Sequence, residues 1–191
     1  MKITRALAVV AILAGTPVAA QAGDFSYSYA EAGWASVDID GLSDNFDGFM
    51  LRGSVGIAES FFLSADYFDV GSGGVDYQQY SLGFGGHYPL SDMVDLTGRV
   101  AWVKAEASGF GFSTDDDGYS VGAGLRGRLG DQFEMEGTVA YVDFGGNGGD
   151  DVVATIAGRY FFNDMFAVGA EYNVYEDAKI WGVGFRVNFG N

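Results

Sequence analysis

Cysteine is absent from the 191 residues, which excludes disulfide staples and thiolate metal sites. Histidine occurs once, at His87, too little for most zinc centres or His-based catalytic sets. Bases are scarce: 10 Lys and Arg stand against 26 Asp and Glu, for a formal charge of −16. Phosphate binding needs clustered Lys and Arg, so no nucleic-acid partner is expected. Beyond the N-terminus no apolar run approaches the roughly 18 residues of a membrane-crossing helix. What is abundant is glycine, with 31 residues, and aromatics, at 16%. A disordered acidic chain would be aromatic-poor. The composition is that of a β protein with many turns, and the length suits one domain.

Residues 1–22 read as a cleaved secretory signal. Lys2 and Arg5 form a positive start, residues 6–14 form an apolar stretch too short to span a bilayer, and Ala20-Gln21-Ala22 fits a small-x-small cleavage site. Gly23 is then the expected first residue of a mature domain over 23–191. Export from the cytoplasm is therefore expected.

Period-two alternation covers nearly all of residues 25–190. In residues 49–57, Phe49, Leu51, Val55 and Ile57 oppose Met50, Arg52, Ser54 and Gly56. In the last segment Trp181, Val183, Phe185, Val187 and Phe189 oppose Gly182, Gly184, Arg186 and Asn188. Reading the chain this way predicts ten strands, near 25–37, 48–58, 60–68, 77–88, 94–105, 118–129, 133–143, 152–162, 165–173 and 180–190, with eight as the fallback. Tyr27 and Tyr29 suggest a parity slip in the first strand.

The connections alternate in character. Those at Glu59, at residues 89–92, at 130–132 and at 163–164 are tight. Those at 38–47, 71–76, 108–117, 145–151 and 175–179 are mostly longer, Gly-rich and acidic. An even-numbered antiparallel meander with short turns at one end and longer loops at the other is the pattern of a transmembrane β-barrel. A soluble up-and-down barrel also alternates. Against it, the strands have the length of a tilted membrane crossing, and apolar-face aromatics gather near strand ends. At the loop end these include Trp34, Phe49, Tyr67, Trp102 and Trp181; at the turn end, Phe61, Tyr88, Phe133, Phe162 and Phe189.

Four stretches carry a resemblance: residues 25–34 (FSYSYAEAGW), 90–101 (LSDMVDLTGRVA), 117–136 and 159–172. In these the chain resembles small outer-membrane β-barrels of the OmpA/OmpX-like superfamily, in particular compact barrels once discussed as secreted immune elicitors. The resemblance implies an all-β barrel in outer-membrane lipid and lipopolysaccharide, inserted by the barrel-assembly machinery. Such barrels usually end in an aromatic residue that this machinery reads. Here Gly190 and Asn191 follow Phe189, the residue expected to carry the assembly signal.

Charges within a membrane barrel are expected to face the lumen, because a charge in lipid is costly. Arg52, Arg99, Arg126, Arg128, Arg159 and Arg186 fall on the non-lipid face, with Glu31, Asp66, Glu134, Glu136 and Glu171. A turn centred on Glu59 sets Arg52 opposite Asp66. A turn centred on Asp131 sets Arg128 opposite Glu134 and Arg126 opposite Glu136. Opposed residues have Cβ atoms about 5 Å apart, close enough for ion pairing. Most other lumenal positions are small, among them Gly83, Gly85, Gly122, Gly124, Gly182 and Gly184. Ten strands enclose more room than eight, so a hydrated cavity is an open alternative to a braced, filled lumen.

Enzymatic readings are weak. His87 is expected at the turn end opposite Asp95, with no serine nucleophile indicated beside it. The Gly83-Phe84-Gly85-Gly86 run precedes no helix that could hold a phosphate. The acidic outer loops invite divalent cations, but no metal-ligand spacing is present, and a solvated acidic surface is the simpler reading. No catalytic, cofactor or metal residues are expected. The sequence therefore predicts an integral outer-membrane barrel with a structural, envelope-barrier or surface-interaction role. A narrow porin-like channel for small solutes is the alternative, and a lipid-modifying enzyme a distant third.

Overall fold

The computed structural model describes residues 25–145 and 149–189; the expected signal segment, Gly190 and Asn191 lie outside them. Ten antiparallel strands form one closed meander, each paired with its sequence neighbours and β1 with β10. They are β1 (Tyr29–Ile39), β2 (Phe46–Ala58), β3 (Phe61–Ser72), β4 (Val75–Ser91), β5 (Val94–Gly109), β6 (Phe112–Leu129), β7 (Phe133–Phe144), β8 (Gly149–Phe161), β9 (Phe166–Val174) and β10 (Ala178–Asn188). Closure removes the unpaired edges that lipid does not tolerate.

The alternation sorts the side chains as expected. Leu63, Leu82, Val100, Val121, Leu125 and Ile156 point outward and are open to lipid, while Arg52, Ser64, Thr97, Arg126 and Glu134 are buried within. The aromatics at both strand ends are outward too. At the loop-end girdle Trp34 meets Trp181 edge-on at 4.8 Å; at the turn end Phe133 meets Tyr160 at 5.1 Å. Such pairs at two levels suit the two bilayer interfaces.

Three expectations need correction. The supposed parity slip in the first strand is absent. Tyr29 and Glu31 face the lumen, Ala30, Ala32 and Trp34 face lipid, and β1 pairs both neighbours without a register shift. The two tyrosines are lumen-filling side chains. Two expected long loops are also largely strand, and most of their acids, Asp76, Asp115 and Asp117, sit on outward strand positions. β3 and β4 are joined by Gly73 and Gly74 alone, both at positive φ (60° and 85°), as a two-residue hairpin turn requires. β5 and β6 are joined by Phe110 and Gly111. Strands β4, β5 and β6, of 17, 16 and 18 residues, form a wall taller than β9, of 9 residues.

Last, His87 lies opposite Thr97, and Asp95 opposite Pro89. A bulge between Pro89 and Ser91 and a turn one residue later than expected displace the register. Proline, with no amide proton to donate, sits at that irregularity.

Candidate functional site in the barrel lumen

The lumen is filled in three layers. At the turn-end mouth the segment preceding β1 brings Phe25 and Tyr27 inward, where they form a buried cluster with Tyr29 and Phe62. Tyr27 donates its hydroxyl to Asp95 Oδ2 at 2.7 Å and stacks on the His87 ring at 4.3 Å. His87 Nδ1 lies 3.0 Å from the same carboxylate oxygen, so the pair forms diagonally despite the shifted register. Its Nε2 lies 3.2 Å from the Glu59 carbonyl. Arg126 donates to the Ser26 carbonyl at 3.2 Å and stands over the Phe25 and Tyr27 rings. Cation–π contacts of this kind strengthen when water is excluded.

The middle layer is ionic. Glu134 accepts from Arg126 Nη2 at 2.7 Å and from Arg159 Nη1 at 2.9 Å; Arg159 also donates to Glu136 at 3.0 Å. Arg186 Nε donates to Glu31 at 2.7 Å and its guanidinium stands 3.7 Å from the Tyr29 ring centre. Arg52 spans the barrel to Glu171, donating from Nη2 at 2.7 Å. Arg99 bonds Ser64 at 2.9 Å and Ser81 at 2.7 Å and also donates to Asp66. Arg52, Arg99, Arg126, Arg128, Arg159 and Arg186, the only arginines among the described residues, are thus all lumenal. In the two layers nearer the turn end they match six carboxylates: Glu31, Asp66, Asp95, Glu134, Glu136 and Glu171. Those two layers are electrically balanced, so the chain's large negative excess lies at the loop end and on the exterior.

The third layer, at the loop end, is apolar. Val37, Ile39, Phe46, Phe68, Val70, Tyr77, Val103, Val142, Phe144, Tyr175 and Ile180 belong to one buried cluster inside the barrel mouth. On the outside of the same levels stand Asp38, Asp47, Asp69, Glu106 and Asp143. Above the membrane the barrel is therefore built like a soluble domain, with an apolar interior and an acidic exterior. Lys179 Nζ donates to the Asp40 carboxylate at 2.9 Å; that bond holds its ammonium above the ordinary lysine pKa.

The expected lumen residues fall as follows. The register pairs Arg52 with Asp66, Arg128 with Glu134 and Arg126 with Glu136. The short contacts often run elsewhere: Arg52 reaches Glu171, with Asp66 at 3.9 Å, and Arg126 reaches Glu134. Arg128 stands over Phe25, 5.3 Å from the ring centre. Hairpin arithmetic sees only neighbouring strands, so it missed Arg52–Glu171 across the lumen and Arg186–Glu31 across the closing seam. It also missed the aromatic mouth, whose signal was the inward parity of Tyr27 and Tyr29.

The small lumenal residues are seats, not empty space. A Cβ at Gly85 would collide with the Phe62 ring, and one at Gly83 with the Arg99 guanidinium. A Cβ at Gly33 would strike the Met50 methyl. An inner cavity beside Glu31, Arg159 and Glu171 measures about 10 Å³, room for at most one water. Phe189, the expected assembly signal, faces lipid at the turn end, and its backbone N–H donates to the Ser28 carbonyl at 2.9 Å.

No curated protein matches the chain by sequence. Among solved structures it is similar to Ail, the attachment invasion locus protein of Yersinia pestis, at 20% identity over 85% of this chain and 97% of that one, with a TM-score of 0.40. It is similar to the N-terminal β-barrel domain of Pseudomonas aeruginosa OprF at 12% identity over 83% and 97%, with a TM-score of 0.48. The KdgM porin gives 11% identity over 84% and 99%, with a TM-score of 0.48. The model of the outer membrane protein beta-barrel domain matches residues 6–158, most of the sequence, and with the closed ten-strand barrel in view the chain belongs to that family.

Proposed function

We propose that this outer-membrane barrel is closed to solutes and serves the envelope as a structural element that presents an acidic exterior. One observation carries the reading: aromatic, ionic and apolar layers fill the lumen in succession, and the cavity beside Glu31, Arg159 and Glu171 in the ionic layer holds only about 10 Å³. A conducting pore needs a continuous polar path, and the apolar layer offers none. The lumenal charges, Arg52 and Asp66, Arg126 and Glu136, and Arg128 and Glu134 opposed in register among them, act in this reading as braces, through contacts such as Arg52–Glu171, Arg126–Glu134 and Arg159–Glu136.

The runner-up, a narrow pore, draws support from buried polar atoms without hydrogen-bond partners. Asp66 Oδ1, Arg99 Nη1 and Glu136 Oε1 are such atoms, and each is a place for lumenal water. Osmotic swelling of vesicles carrying the refolded protein separates the two readings. Closed lumens give no swelling above empty vesicles in small sugars or amino acids; swelling that scales with protein content contradicts the proposal.

The same reading makes the protein a non-enzyme, since both His87 ring nitrogens are engaged by Asp95 and the Glu59 carbonyl. Export by the signal at residues 1–22 and insertion by the barrel-assembly machinery through Phe189 complete it. Its neighbours in place are outer-membrane lipid and lipopolysaccharide.

A further inference from the structure

The tallest hairpin ends in an aromatic residue that the fold does not bury. β5 and β6 rise past the loop-end girdle and turn at Phe110 and Gly111. Phe110 is 83% exposed, the most open large apolar side chain among the described residues. It also has φ 48°, the one positive value at a non-glycine residue there. A Cβ in that region crowds the following carbonyl, whereas glycine would occupy it without strain. The turn thus holds a ring in water on a disfavoured backbone. Phe112 beside it is exposed as well.

The surroundings are acidic. Asp76, Glu106 and Asp115 lie on outward positions of the same tall strands, with Glu106 directly opposite Asp115. Lys104, a base on this wall, is already engaged by Glu106 at 2.6 Å and Asp115 at 3.6 Å. An apolar tip ringed by carboxylates repels anionic lipid and nucleic acid and complements a surface that is apolar and basic together.

We propose that this tip is a docking point for cationic amphipathic polypeptides outside the cell. Phe110 and Phe112 enter the polypeptide's apolar face, and the outward carboxylates Asp76 and Asp115 pair with its Lys and Arg. The inference rests on the outer-membrane location in the proposed function, with the loop end facing out of the cell, and is independent of whether the lumen conducts.

The test uses the whole barrel in zwitterionic nanodiscs and a fluorescent amphipathic helical peptide of Leu, Ala and Lys. Anisotropy is read against empty nanodiscs. A Lys–Ser peptide of equal charge serves as the polar control. Phe110→Ser weakens amphipathic-peptide binding by at least about tenfold, as expected of a hot-spot aromatic. The Asp76→Asn/Asp115→Asn pair weakens it and flattens its salt dependence, and the polar peptide binds far less well. Phe110→Gly keeps the heat resistance of the unaltered barrel, because glycine takes the turn without strain. The proposal fails if Phe110→Ser binds unchanged, or if the polar peptide binds equally, which would mean charge alone. It also fails if the tip prefers anionic phosphatidylglycerol vesicles to the peptide. The Phe110 ring edge also lies beside Gly74 of the β3–β4 turn, so loss of heat resistance in Phe110→Gly would overturn the proposal too, by giving the ring a structural role there. A lumen found to conduct would sink the proposed function and leave these outcomes intact.

Discussion

Replacing Glu134 by glutamine keeps the side chain's shape and removes one charge from the driest part of the lumen. Glu134 is 1% exposed and accepts from Arg126 and Arg159, themselves almost fully buried. Breaking a buried pair by removing one partner typically costs about 3–5 kcal/mol, because the remaining charge is stranded away from water. Arg159 keeps Glu136, and Arg126 keeps the Ser26 carbonyl and two ring faces. The expected penalty therefore sits near the lower end, about 3 kcal/mol. A water-filled lumen would screen the same change to under about 1 kcal/mol. The assay is reversible urea unfolding of the barrel refolded into phospholipid vesicles, followed by tryptophan fluorescence. Lys179→Ala, which breaks an exposed pair with Asp40, should leave the midpoint unmoved. A Glu134→Gln loss no larger than that of Lys179→Ala would refute the dry ionic layer.

Gly85→Val places a side chain where the Phe62 ring lies, an overpacking that should cost about 1–3 kcal/mol in the same assay; a neutral result would mean that Phe62 is not seated in the mouth. Ala123→Arg puts a charge on the lipid face between the two girdles and should cost about 2–4 kcal/mol, whereas a negligible cost would place that face in water. Phe189→Ala should reduce insertion into the outer membrane, scored by heat-modifiable migration on gels, much more than deletion of Gly190 and Asn191; equal insertion of all three forms would contradict an assembly role for Phe189.

Strand number, order and facing were legible because a half-buried sheet enforces a two-residue period, and each solvent or lipid face leaves its mark on the sequence. The pairing of Arg52 with Asp66 followed from hairpin symmetry about Glu59, and survived a local bulge between Gly56 and Ala58. The His87 register did not, because a second bulge, at Pro89, carries no signal in hydrophobic pattern. Strand ends at the outer rim were underestimated. Glycine and aspartate at residues 71–76 and 108–117 read as loop, although they continue a ladder whose inner face is Tyr77, Ala105 and Ala107. What fills the lumen was less legible than that it could be braced and filled. Glycines at 83 and 85 register as missing volume in one strand, and the Arg99 and Phe62 side chains that occupy their places come from other strands. Closure of the barrel, which sets Glu31 beside Arg186, is a contact 155 residues apart that no local pattern announces.

The most direct test of a closed lumen is single-channel recording from the purified barrel in a planar lipid bilayer, beside the Tyr27→Ala/Phe62→Ala variant. That variant removes the aromatic mouth and exposes the ionic layer from one side, and so controls for successful insertion when checked by heat-modifiable migration after recovery. The account predicts no discrete current steps from the unaltered barrel across the applied voltage range, and at most small, flickering ones from the variant. Steady, voltage-independent steps from the unaltered barrel would contradict it.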